Sequence, residues 1–216
     1  LERDGIFVAE GEKVVTSMVK SDCRIVSCLI ASDNIAKYRS LLAPMTKRGA
    51  VIYTADSKLI ENIIGFRFHR GILAIGHCPK KLDMSKGLKK NRQPLFLLAL
   101  NAVNDPENVG LIVRNAVAFG IQALIVDNAT YDPYYRRAVR VSMGTIFQLP
   151  VFYENDLASS LTWLKKKHDT RIITATLGKG TKDIANIDFS DNICLVFGNE
   201  DKGVSREALR VSDSRV

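Results

Sequence analysis

Three short stretches combine glycine with polar side chains in a way that could hold a ligand: Asn101 to Gly110, Thr176 to Lys182 and Gly198 to Ser205. In VFGNEDKGVS, Gly198 and Gly203 bracket Asn199, Glu200 and Asp201, so the backbone can approach a ligand and offer amides at a following helix start. An ordinary β–α turn would read the same. TLGKGTKD offers Gly178 and Gly180, but Asp183 stands where a dinucleotide fingerprint needs its third glycine, which argues against an NAD-type dehydrogenase. There is no Walker A sequence to cradle a triphosphate. In the first stretch, Asn104, Asp105 and Asn108 are helix-capping types and Pro106 suits a first turn. Arg114 then falls among Val113, Ala116 and Val117 on a helix expected to pack on a sheet. A buried guanidinium needs a partner, so Arg114 either snorkels at the helix flank or is aimed at a phosphate or a developing oxyanion.

Other reactive types are less organised. His69, His77 and His168 match no triad or metal spacing, and Trp163 fits an apolar helix face. Cys23, Cys28, Cys78 and Cys194 form no CxxC pair, so reduced thiols in a cytoplasmic protein are expected, with no metal and no disulfide framework. Arg136 and Arg140 lie four apart on one helical face beside Arg137, a spacing suited to phosphates.

The elements that must position these residues follow from hydrophobic periodicity. Residues 1–78 read as an α/β unit: a helix over Glu10 to Lys20, a strand over Arg24 to Ala31, then helix, strand, helix to Gly65, and a strand over Arg70 to Cys78. Residues 79–93, PKKLDMSKGLKKNRQ, read as a basic linker. From residue 94 the pattern restarts with the apolar strand PLFLLALN, a helix stopped by Gly120, the strand IQALIVDN and a short basic helix. TIFQLPVFY then reads as a strand, DLASSLTWLKKKH as a helix, RIITATLG and NICLVFGN as strands, and SREALRV as a helix start. Strands alternating with helices indicate a parallel sheet, whose ligands bind beyond the carboxyl ends of the strands. All three glycine-bearing stretches leave such ends.

With 216 residues, 46% hydrophobic and 25% charged, the chain is of globular composition, and disordered or collagen-like classes are excluded. No apolar run reaches membrane-spanning length and no signal-like segment precedes the first unit. The start at Leu1 without Met suggests a trimmed chain. The net charge is +8, unevenly spread. Residues 1–78 carry 11 basic and 8 acidic side chains, residues 79–93 carry 6 and 1, and residues 94–216 carry 14 of each. Lys80, Lys81, Lys89 and Lys90 therefore either contact RNA phosphates or are merely solvated.

Taken together, the loops resemble the SpoU/TrmH family of RNA ribose 2′-O-methyltransferases, within the SPOUT superfamily. LALNAVNDPENVGLIVRNAVAFG is similar to the family's first motif through Asn104, Asp105, Pro106, Asn108, Gly110, Arg114 and Ala116. ICLVFGNEDKGVS is similar to its second through Phe197, Gly198, Glu200 and Gly203, and RVSMGTIFQLPVF to the segment between them. FVAEGEKVV and FHRGILAIG resemble the family's N-terminal substrate-binding domain. The resemblance implies a SPOUT-type parallel sheet over residues 94–216, S-adenosylmethionine as cofactor, RNA as substrate and a homodimer formed through the C-terminal domain. It assigns Arg114, Asn108 and Glu200 to catalysis and Thr176, Leu177, Gly178, Gly198 and Asn199 to the cofactor. Ribosomal RNA is favoured over tRNA, with a non-catalytic RNA-binding relative as the alternative. The family's third motif, part of its trefoil knot, would begin after Val216, so the natural chain is expected to continue.

Overall fold

A computed structural model describes residues 5–65, 71–88, 94–178 and 180–216. In chain order the elements are β1 (Ile6–Glu10), α1 (Glu12–Lys20), β2 (Ile25–Ala31), α2 (Ile35–Lys47), β3 (Val51–Ala55), α3 (Ser57–Ile64), β4 (Ile72–His77) and α4 (Met84–Gly87). There follow β5 (Phe96–Asn101), α5 (Pro106–Ala118), β6 (Ala123–Asp127), α6 (Arg136–Val141), β7 (Val151–Glu154), α7 (Leu157–His168), β8 (Arg171–Thr174), β9 (Ile193–Gly198), α8 (Arg206–Val211) and β10 (Ser214–Arg215). The chain divides into two units: Leu1–Lys80 with Pro133–Gln148, and Lys81–Asp132 with Leu149–Val216.

The first unit is built on a four-stranded sheet in the order β1-β4-β2-β3, with β2 and β3 parallel and the other pairs antiparallel. α1 buries Val14, Val15 and Met18, the helical spacing expected of that stretch. The helix starts at Glu12 rather than Glu10, because IFVAE pairs with β4 as a strand that the sequence reading lacked. Residues 133–148, expected in the sheet domain, lodge in this unit instead. Phe7 of β1 packs its ring 5.6 Å from Tyr134 and 5.1 Å from Phe147, and Ser17 Oγ donates to Gly144 O at 2.7 Å. The expected strand over TIFQ is a 3-10 turn, Thr145–Gln148, with Ile146 buried. The strand begins only at Val151, after Pro150.

The second unit holds a six-stranded, all-parallel sheet in the order β10-β8-β9-β5-β6-β7. From β5 the chain runs outward through β6 to β7, then α7 carries it back past β5 to β8. Right-handed crossovers in opposite directions place their helices on opposite faces. The packing agrees: Leu161 and Leu164 of α7 and Ala208 of α8 join Leu97, Ala99, Ile125 and Val196 in one cluster, to which α5 contributes nothing. α5 buries its own stripe of Val109, Gly110, Val113 and Ala116. The expected linker is partly built into this unit. Met84 is 5% exposed in the same cluster and Leu82 bridges to Phe152.

Among the described residues no helix is long and apolar enough to cross a membrane, no group of His, Cys, Asp and Glu could hold a metal, and no disulfide forms.

Candidate active site

β8, β9 and β5 are neighbours in the sheet, so the loops leaving their carboxyl ends share one rim. β5 ends in Asn101, 7% exposed, which joins its neighbours on both sides. Its Nδ2 donates to Asp127 Oδ2 at 2.6 Å, and its Oδ1 accepts from Ser205 N at 2.7 Å. The chain then turns sharply through Ala102, a non-glycine residue at φ 58°, whose amide is held by the Asp127 carboxylate at 3.0 and 3.1 Å. Thr130 Oγ1 also donates to Asp127, at 2.7 Å. Asn101, Asp127 and Thr130 escaped the sequence reading. Their signal was faint: a polar residue ending each of two apolar strands.

Of the three capping candidates, only Asp105 caps, accepting from Glu107 N at 2.7 Å ahead of Pro106 at the start of α5. Asn108 does something else. Its Nδ2 donates to Glu200 Oε1 at 2.7 Å, joining the β5 and β9 loops across 92 residues of sequence. A carboxylate accepts only, which fixes the orientation of this amide and leaves Asn108 Oδ1 available as an acceptor.

The β9 loop is stapled by Asn199, 9% exposed. Its Nδ2 donates to Ala102 O at 2.9 Å, its Oδ1 accepts from Asp201 N and Lys202 N, and its backbone exchanges hydrogen bonds with Gly203 in both directions. The side chain assigned to the cofactor by resemblance is thus occupied in shaping the loop. Gly198 shows why that loop needs glycine: a Cβ there would stand 2.3 Å from Gly203 C and 2.4 Å from Val204 N.

Arg114 takes the flank position that the sequence left open. Val113 and Ala116 are buried, but Arg114 lies on the exposed flank of α5, beside Leu111 at 46% exposed. The apolar stripe runs through Val113, one residue before it, and Ala116, two residues after it. Among the described residues, Asn108 and Glu200 included, it makes no hydrogen bond or ion pair. Six residues separate it from Asn108, about 9 Å along the axis and about 120° round it. Helical side chains lean toward the N-terminus, which carries the guanidinium back toward the rim.

On the β8 side, Thr176 N donates to Val216 O at 2.9 Å and Lys182 N to Arg215 O at 2.8 Å, so this loop grips β10 at two points. Between them Leu177 is wholly exposed, and Gly178 and Gly180 adopt positive φ with open space where a side chain would stand.

The basic candidates separate. Arg136 and Arg140, in the first unit, both face the buried Glu10, at 2.9 and 4.0 Å. Lys80 is exposed, whereas Lys81 lies over the Tyr153 ring, 4.9 Å from its centre. Lys89 and Lys90 lie outside the described residues.

With this geometry in hand, comparison with known proteins is specific. Residues 95–216 match the SpoU rRNA Methylase family. A tRNA/rRNA methyltransferase of Mycobacterium bovis is 31% identical over 98% of this chain and 72% of its own length. The 23S rRNA (guanosine-2′-O-)-methyltransferase RlmB of Acinetobacter baylyi is 31% identical over 72% of this chain and 64% of its own. An AdoMet-bound rRNA methyltransferase from Sinorhizobium meliloti superposes with a TM-score of 0.85 over 99% of this chain and 78% of that one, at 23% identity, which speaks for the fold. The rim that Asn108 and Glu200 bridge is therefore that of a SpoU rRNA methylase, the family to which this chain belongs.

Proposed function

We propose that this chain transfers a methyl group from S-adenosylmethionine to a ribose 2′-hydroxyl of ribosomal RNA. The observation that carries the reading is the Asn108–Glu200 hydrogen bond, which brings the two motif loops together at the sheet rim. The family description, the RlmB relative and the AdoMet complex of the Sinorhizobium protein support it.

The residues present fit the cofactor. The bare backbone at Gly178 and Gly180 admits close approach, and the exposed Leu177 gives an apolar surface for an adenine. Thr176, Leu177, Gly178 and Gly198 would line the pocket, with Asn199 holding the loop in shape. When bound, S-adenosylmethionine supplies a methyl carbon activated by its sulfonium. Attack of the sugar oxygen on that carbon would release S-adenosylhomocysteine as the carbon–sulfur bond breaks, with the hydroxyl proton passing to solvent water.

Asn108 Oδ1, left available by the Nδ2 bond to Glu200, accepts the ribose hydroxyl's hydrogen bond and directs the oxygen. Arg114 acts as a planar cation with donors only, not as the base. It pairs with the acceptor nucleotide's phosphate and stabilises charge developing on the 2′-oxygen. The α6 arginines, Arg136 and Arg140, contact the RNA backbone, joined by the lysines of residues 79–93. We further propose that a second copy of the chain packs on the second unit, covering Leu111 and Phe119, 46% and 76% exposed on the α5 flank and just beyond it.

The test is transfer of radiolabelled methyl from S-adenosylmethionine to purified rRNA and to tRNA, with the product mapped by mass spectrometry. Ribose 2′-O-methylation of rRNA is the expected result. Label on tRNA alone would redirect the substrate, and binding of RNA without transfer would leave a non-catalytic relative.

A further inference from the structure

Glu10 ends β1 as a carboxylate only 7% exposed, in a unit whose core is otherwise apolar there. An ion so buried needs a partner, and α6 supplies two. Arg136 Nη2 lies 2.9 Å from Glu10 Oε2 and Arg140 Nη1 lies 4.0 Å from the same oxygen, so one oxygen serves both guanidiniums. The two arginines are four residues apart, one helical turn, and without an anion between them would repel.

Each guanidinium has five N–H donors, more than a single carboxylate oxygen can engage. With Tyr135 and Arg137, the two arginines line a cleft of about 300 Å³. Arg136 and Arg140 remain 43% and 37% exposed in their side chains, so both are reachable from solvent. Two guanidiniums against one carboxylate leave the Glu10 cluster with a net positive charge, and the carboxylate holds both forks in place. This suits a phosphodiester, which planar forks bind bidentately when already oriented. Flexible surface arginines would lose side-chain entropy on binding, a cost of about 1 kcal/mol for each immobilised side chain.

We infer that Glu10 is a positioning residue for RNA: its buried carboxylate orders Arg136 and Arg140 into a phosphodiester clamp on the first unit. This rests on the proposed RNA-methylating function. Glu10 acts through the arginines and touches neither cofactor nor the reacting ribose. Its loss therefore falls on RNA binding rather than on the chemical step.

The experiment compares Glu10→Gln, Arg136→Gln with Arg140→Gln, and all three together in the full chain. It reads the RNA KM, kcat, S-adenosylmethionine affinity, thermal midpoint and salt dependence of RNA binding. For Glu10→Gln the expected result is an RNA KM raised about fivefold or more, with kcat and cofactor affinity unchanged. Adding Glu10→Gln to the arginine pair should change nothing further, because the group it orders is gone. The arginine pair should also lower the slope of log K against log salt by about 2 on a single-stranded or duplex target. If Glu10→Gln leaves KM unchanged or tightens RNA binding while the arginine pair weakens it, Glu10 merely neutralises charge and the inference falls alone. If the arginine pair leaves RNA binding intact, the RNA reading of α6 falls and takes the inference with it. Should Glu10→Gln fail to fold, Glu10→Asp keeps the charge but shortens the reach. A raised RNA KM supports the clamp, and an unchanged one overturns it.

Discussion

Asn108 and Glu200 meet at 2.7 Å although they are 92 positions apart, Asn108 in the first turn of α5 just beyond β5 and Glu200 in the loop after β9. The contact exists because β5 and β9 are paired in register from Phe96–Ile193 to Asn101–Gly198, so their exits are adjacent. The Asn199 side chain then braces the β9 loop against Ala102 at the base of the other. A shift of either strand by one residue would separate the pair.

Removing either partner should therefore act on turnover. Asn108→Ala and Glu200→Ala are each expected to lower kcat about 100-fold with little change in the RNA dissociation constant. The double variant should be no worse than the poorer single one. Additive losses in single-turnover assays would mean the two residues work separately.

Arg114 is exposed on α5, so its replacement should leave the unfolding free energy within about 0.5 kcal/mol of the parent in denaturant melts. Arg114→Lys keeps the charge but loses the planar fork. It is expected to reduce kcat at least tenfold, with a smaller effect on RNA affinity. Near-normal turnover in the lysine variant would show that a point charge suffices.

Gly198→Ala places a methyl 2.3 and 2.4 Å from backbone atoms of Gly203 and Val204. Backbone cannot swing aside as a side chain can, so the β9 loop must shift as a whole. A loss of about 1–3 kcal/mol is expected in urea melts, accompanied by weaker S-adenosylmethionine binding in calorimetry. Retention of both would mean that the loop relaxes without cost.

Burial raises the Cys28 and Cys194 thiols from 9.0 to about 12. Folded, both stay protonated at pH 10, whereas in the unfolded chain they ionise from about pH 9. Their contribution is complete below pH 9 and disappears as pH rises from 9 toward 12. The expected loss is about 1 kcal/mol per thiol between pH 9 and 10, measured by denaturant melts and reduced in alanine variants of the two. At pH 8 a thiol reagent should label the partly exposed Cys78 well before Cys194.

The alternation of strands and helices was legible because buried parallel strands are continuous apolar runs and their helices carry a 3.6-residue stripe. Leu97 to Leu100 and Val109, Val113 and Ala116 are plain examples. Arg114 takes the flank position although it follows Val113, because neighbours in sequence lie about 100° apart on a helix. TIFQ carries strand-forming types, yet it closes a short turn whose Ile146 side chain is buried. The lysine-rich stretch hid Met84, one buried residue amid charge. The pairing of Glu10 with Arg136 spans 126 residues, and no local pattern announces it. At the site, the residue types of the Asn108 and Glu200 loops were readable, but Asn101, Asp127 and Asn199 owe their importance to which strands lie side by side.

Residues 133–148 sit between β6 and β7 in sequence yet belong with the first unit, so the backbone crosses from one unit to the other three times, after Lys80, Asp132 and Gln148. An amino-terminal module of this kind cannot be cut off or exchanged at a single joint. Truncation at residue 80 would strip Tyr134, Phe147 and the α6 arginines of the strand they lean on, exposing aromatic surface and unbalanced cations. Any chimera meant to retarget the enzyme must transplant both pieces of that module as a matched set.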